Sequence, residues 1–255
     1  MSFTVKHQVI SQYLRSGTKR RSGQLLQSAV KFIVAHDTGN PNSTAAANVA
    51  YYNNTLDTVY QSAHIFVDDT EILECIPALT APAEKAWHVR YDIPEDNRRY
   101  GANANDVAIG VEYCYGPNIN ADEAYKRYVW TLAYLCFRFQ LPSKGFIVAH
   151  STLDPGRRSD PDNGLGKSGR SFIQLVEDVD IEYRKCTQST VLEKLKLVKF
   201  ASSNKIFAVA KDGKKHWIKD EMTFNHGREM GLWGDWPEVE MTNDNYAEGY
   251  TIHIG

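Results

Sequence analysis

The string FIVAH occurs twice in this chain, at residues 32–36 and 146–150. A short apolar, β-branched run bounded by turn formers reads as a buried strand. The first copy runs into the turn-rich DTGNPNS and the second into the charged stretch HSTLDPGRRSDP. Each copy ends on a histidine, His36 or His150. If the two strands lie side by side in one sheet, both imidazoles leave it at the same edge.

Helical and strand patterns alternate around these two segments. TAAANVAYYNN is Ala-rich and helix-compatible, with Ser43 or Thr44 as its N-cap. SAHIFVDD and EILECIP read as a strand pair turning at Asp68-Asp69-Thr70, and DVAIGVEYCYG as a further strand. The polar stretch containing Pro94 and Gly101 reads as loop. In NADEAYKRYVWTLAYLCFRFQLP, Ala124, Tyr128, Leu132, Leu135 and Phe139 make one apolar helical stripe, with Asn120 or Asp122 to cap it and Pro142 to stop it. SGRSFIQLVEDVDIEYRKC reads as a closing helix. The first thirty residues carry no clear signal. This alternation predicts an α/β domain over residues 1–185, a sheet covered by helices.

Residues 190–255 change character and are predicted to form a separate small C-terminal β-rich module. KIFAVAKDGKKHWI sets two apolar runs around Asp212-Gly213, a hairpin signal. Trp217, Trp233 and Trp236 in this region serve either as its core or as stacking platforms for sugars.

Charge and apolar run lengths exclude several function classes. A formal net charge of −2 gives no global basic field for nucleic acid, and the local cluster Lys19-Arg20-Arg21 reads as a solvated loop. No run approaches the ~20 apolar residues of a membrane span, so no membrane insertion is expected. The N-terminal residues lack a signal peptide's apolar core. Synthesis in the cytoplasm is expected, with any work on the far side of the membrane depending on another exit route. Cys75, Cys114, Cys136 and Cys186 form no CxxC pair and read as small buried apolar groups.

Two histidines delivered by matching strands invite a metal. A catalytic zinc takes three protein ligands and keeps one position open. The loop after His150 offers Asp154 and Asp160, with Pro155-Gly156 between them to turn the chain back, and either carboxylate can complete the set. The competing reading is a polar loop that leaves the sheet and binds nothing.

Taken together, HDTGN, SAHIFVDD, AWH, AIGVE and HSTLDPGRRSDP resemble the zinc-dependent N-acetylmuramoyl-L-alanine amidase family (amidase type 2). Phage endolysins, wall-recycling amidases and peptidoglycan recognition proteins share its fold. The motifs follow the family's order over roughly residues 25–175 and look most like endolysins of phages that infect Gram-positive hosts. The resemblance implies a mixed central β-sheet flanked by helices and one zinc ion per catalytic domain. It makes His36 and His150 the first two ligands and Asp160, ten places after His150, the third. Asp154 then becomes loop structure or a substrate contact.

By the same resemblance Glu112 is the general base. Arg158 stands where many relatives have lysine and would stabilise the oxyanion. His64, Trp87 and His88 would line the substrate groove. Ala63 departs from the pattern, since relatives often carry tyrosine there. The implied function is an endolysin that hydrolyses the bond between N-acetylmuramic acid and L-alanine in bacterial peptidoglycan, held to a cell-wall polymer by the C-terminal module. The alternatives are a non-catalytic peptidoglycan-binding protein on the same fold and a cytosolic amidase that recycles wall fragments.

Overall fold

The computed structural model describes residues 2–187, 195–200, 204–210, 213–229, 232–233, 239–242, 246–249 and 251–252. Two compact units are present, Met1–Thr187 and Gln188–Gly255. Residue 190, Asp212 and Trp236, named in the sequence analysis, lie outside the described residues.

In the first unit the elements run β1 (Val9–Ser11), β2 (Phe32–Asp37), α1 (Ala45–Asn54), β3 (Ile65–Val67), β4 (Ile72–Glu74), α2 (Glu95–Tyr100) and α3 (Ala104–Val107). They continue with β5 (Ala108–Tyr113), α4 (Ala121–Arg138), β6 (Ile147–Ala149), α5 (His150–Leu153), α6 (Asp162–Lys167) and α7 (Phe172–Thr187). The sheet order is β1-β4-β3-β5-β2-β6. Only β3 and β4 pair antiparallel, so the sheet is mixed and flanked by helices. The two FIVAH segments lie side by side as β2 and β6.

A strand between two parallel neighbours needs apolar residues on both faces, and every residue of β2 is buried. Ile33 and Ala35 join a core built with Trp130, Leu132 and Leu135 of α4 and Leu175 of α7. Phe32 and Val34 face the other way, against Val107, Val148 and Leu153. Leu132 is fully buried. Leu132→Ala is expected to cost about 2–5 kcal/mol through the cavity it leaves, read as a lower denaturant midpoint.

Helix α4 follows its predicted stripe. Asn120 caps it by accepting from the N–H groups of Asp122 and Glu123. It ends before Pro142, at Arg138, because the chain closes in a Schellman turn. Gln140 there takes φ 55°, and the N–H of Leu141 reaches the Cys136 carbonyl at 2.9 Å. Thr44, rather than Ser43, caps α1.

Two expectations fail for physical reasons. The stretch around residues 94–101 contains α2, a helix with no apolar stripe. Glu95 and Asp96 sit at its N-terminal end, Arg98 and Arg99 at its C-terminal end, and Gly101 closes it at φ 72°. The basic cluster is no solvated loop: Arg20 is 1 % exposed. Its guanidinium stacks 4.2 Å from the Tyr52 ring and donates to the carbonyls of Thr55 and Gln61. Arg21 pairs with Glu84 at 2.6 Å. All four cysteines are buried free thiols.

The second unit contains β7 (Lys196–Phe200), β8 (Ile206–Val209), β9 (Lys214–Ile218), α8 (Glu221–Glu229), β10 (Glu240–Thr242) and β11 (Ala247–Glu248). Its sheet order is β10-β7-β8-β9-β11, with β8 and β9 antiparallel. Trp233 is core, donating from Nε1 to the Phe224 carbonyl at 2.9 Å. Trp217 is half-buried, and the Lys205 ammonium lies 4.1 Å from its ring centroid. No helix among the described residues is long and apolar enough to cross a membrane.

Candidate active site

Side chains of a strand alternate between faces, and paired residues of parallel neighbours share one. His36 pairs with Glu112 of β5, and Glu112 with Phe66 of β3. Ala35 pairs with Ala149 of β6, so His150 is the next residue in register. His36, Glu112 and His150 therefore leave one face of the sheet at the C-terminal ends of three adjacent parallel strands. Open α/β sheets place their ligand crevices at such ends. His150 is not a strand end, as expected, but the first residue of α5, because the chain turns into a helix directly after Ala149.

The loop after α5 returns Asp160 to this point. The N–H of Ser151 donates to the Asp160 carbonyl at 2.9 Å. Just beyond, the N–H of Gly164 donates to Asp37 Oδ2 at 2.7 Å, tying α6 to the end of β2. Only glycine fits there, since a Cβ would stand 2.8 Å from Cβ of Asp37. Asp160 Oδ2 then lies 3.0 Å from His36 Nδ1 and 2.9 Å from His150 Nδ1. Asp154 does not join them. It is buried and paired with Arg157.

One atom from each of His36, His150 and Asp160 lies within 4.8 Å of the other two. Tetrahedral zinc with bonds of about 2.0–2.1 Å separates its ligands by about 3.3 Å, and the two distances from Asp160 Oδ2, 3.0 and 2.9 Å, come within a few tenths of an ångström of that. Burial and the nearby His150 hold the His36 imidazole at about 4, so it is neutral at pH 7 and able to ligate. Burial alone would raise the Asp160 carboxyl, but the hydrogen bonds from His150 and His36 outweigh it. The group is held below the usual carboxylate range.

Glu112 is half-buried, and its Oε2 is shut away from solvent with no hydrogen-bond partner among the described residues. Burial, and then the charges of Asp160 and Asp37, push its carboxyl well above the usual range. A raised proton affinity suits a carboxyl that has to accept a proton and give it back.

A cleft of about 430 Å³ opens over these residues, with Glu112, Trp87, His88 and Arg158 in its walls. Arg158 is exposed and Trp87 half-buried, with Tyr60 and Tyr91 edge-on to the indole at 5.4 and 6.0 Å. His64 does not reach the cleft, contrary to expectation. It is fully buried, its Nδ1 accepting from the Gly110 N–H at 3.0 Å and its Nε2 donating to the Glu84 carbonyl at 2.8 Å. Ala63 beside it is core. Asp37, Tyr52, Tyr60 and Gln61 also line the cleft. Sequence reasoning missed them; the adjacency of Asp37 to His36 was the one available signal.

The family profile described as N-acetylmuramoyl-L-alanine amidase matches residues 26–163. A probable N-acetylmuramoyl-L-alanine amidase of Bacillus licheniformis is 37% identical over 155 residues, 58% of this chain and 41% of its own length. The N-acetylmuramoyl-L-alanine amidase BlyA of Bacillus subtilis (strain 168) is 32% identical over 154 residues, 58% of this chain and 39% of its own length. The chain thus spans about two fifths of the length of the curated relatives it matches. Among solved structures, a mutant endolysin from Bacillus subtilis superposes with a TM-score of 0.54, covering 68% of this chain and 99% of that one. At 22% identity that likeness concerns the fold.

Proposed function

The chain belongs to the N-acetylmuramoyl-L-alanine amidase family, and from that premise we propose that it is a zinc-dependent peptidoglycan hydrolase of the endolysin type. It cleaves the amide between the lactyl group of N-acetylmuramic acid and L-alanine. The observation that carries this reading is the meeting of His36, His150 and Asp160 beside Glu112 in one cleft.

His36 and His150 through Nδ1, and Asp160 through Oδ2, would hold the ion. Bound there, zinc supplies Lewis acidity that polarises the scissile carbonyl and acidifies the attacking water. Glu112 takes the proton from that water and returns it to the departing nitrogen, leaving a lactyl carboxylate and a free L-alanine amine. Its unpartnered oxygen and raised proton affinity suit both halves of the transfer. Arg158, at the cleft wall, offers a fixed cation to the carbonyl oxygen as negative charge develops. Trp87, also in the cleft wall, would offer the substrate an aromatic surface. The second unit, with its own core, would hold the chain to a wall polymer and raise the local concentration of its substrate.

Mass spectrometry of peptidoglycan digested by the full chain tests the reaction. Stem peptides with a free L-alanine N-terminus are expected, absent after chelation and restored by zinc. Glycan or cross-bridge cleavage in their place would refute the assignment.

A further inference from the structure

We propose that His88 is a positioning residue for His36, holding that imidazole through its Nε2 so that Nδ1 is presented to the metal. The proposal rests on the reading of His36, His150 and Asp160 as ligands. The Nδ1 of His88 lies 3.1 Å from Nε2 of His36 and the rings meet edge to face, with centroids 5.3 Å apart. On its far side, Nδ1 of His36 is 3.0 Å from Asp160. A ligand imidazole whose second nitrogen is engaged keeps one tautomer and one ring orientation, and metal affinity depends on that partner.

The surroundings are built to keep His88 in place. Gly110, next to Ile109 in the central β5, leaves the slot its ring fills: a Cβ there would stand 2.7 Å from His88 Cγ. Buried Asn105 clamps the backbone, its Oδ1 accepting from the N–H groups of His88 and Val89 at 2.8 and 2.9 Å and its Nδ2 donating to the Val89 carbonyl at 2.9 Å. Behind it stands His64, ring centroid 5.6 Å away, with both nitrogens already committed to backbone groups. Three imidazoles thus run in a row from the core to the ligand set, and the sheet fixes the innermost one. His88 lies in the cleft wall, where the resemblance placed it, and the role toward His36 is additional to that placement.

Zinc affinity by chelator competition on the full chain is the test, with cobalt(II) spectra and the melting temperature of the metal-free protein alongside. His88→Ala is expected to weaken zinc binding roughly 10–100-fold. His88→Asn, whose amide lies where Nδ1 does, should recover most of that loss. Gly110→Ala should weaken binding in the same direction by displacing the ring while leaving His88 itself intact. Cobalt(II) bands should keep their wild-type positions in every variant. Wild-type affinity in His88→Ala would overturn the proposal, as would a loss that asparagine fails to recover and that follows the stability of the metal-free protein. Shifted cobalt bands in His88→Ala would make His88 a ligand and overturn it too. A wild-type chain that binds no zinc would instead remove the ligand reading itself, and this inference with it.

Discussion

Glu112→Gln is expected to take up zinc as the wild type does and to lose roughly 10²–10⁴-fold in turnover. Glutamine keeps the shape of the side chain in its place on β5 but can neither accept a proton from water nor return one to the leaving amine. The ligand atoms belong to other residues, so metal content measured on the purified variant should stay at one ion per chain. The carboxyl also leaves a signature in the metal-free protein. Its folded pKa lies well above the ordinary 4.5, so the folded chain binds more protons than the unfolded one above that pH. Stability therefore falls as pH rises from about 4.5 through the raised value. The glutamine variant lacks this slope, and its melting temperature should gain on the wild type as the pH goes from 4.5 toward 7. Retained turnover would remove Glu112 from the proton transfer. Lost zinc would mean that the substitution disturbs the ligands, leaving the base unidentified.

How far the site can be read from sequence follows the periodicity of the elements that carry it. The two FIVAH runs have a strand's period, and a strand's register is enough to bring His36, Glu112 and His150 to one face. Helix α4 was legible for the same reason, with its stripe and its Asn120 cap. Loops have no period, and what they contribute had to come from resemblance or from structure. Asp154 and Asp160 look alike in the string LDPGRRSDP. One turns in to pair with Arg157 and the other reaches both histidines, a choice made by Asp37 and Gly164 tying down α6. His64 and His88 carry the same histidine signal as His36 and His150, yet one is fixed in the core by backbone groups and the other lies against His36. Arg20 shows the converse. A run of three basic residues reads as solvent-facing, but the faces of Tyr51 and Tyr52 and the nearby carbonyls draw its guanidinium inside.

Asp160→Ala is expected to lower zinc affinity at least ~100-fold, beyond what loss of a supporting group costs, and to abolish cleavage with it. Asp160 brings the only negative charge to a set whose other members are imidazoles, and both of their Nδ1 atoms converge on its Oδ2. The loss is visible without substrate. At a free zinc concentration of 100 times the wild-type dissociation constant, binding stabilises the native chain by about 2.7 kcal/mol. A hundredfold weaker site keeps only about 0.4 kcal/mol of that, so the zinc-induced rise in melting temperature should nearly vanish. In the metal-free protein, the depressed Asp160 carboxyl contributes stability above its unfolded value of 3.8 that is lost as the pH falls. The difference between wild type and variant should therefore narrow in acid. Asp154→Ala is the matched control. That aspartate answers to Arg157, so its loss should leave the zinc-induced shift at the wild-type size. If the two variants exchange these outcomes, the third ligand is Asp154 and the role given to Asp160 falls.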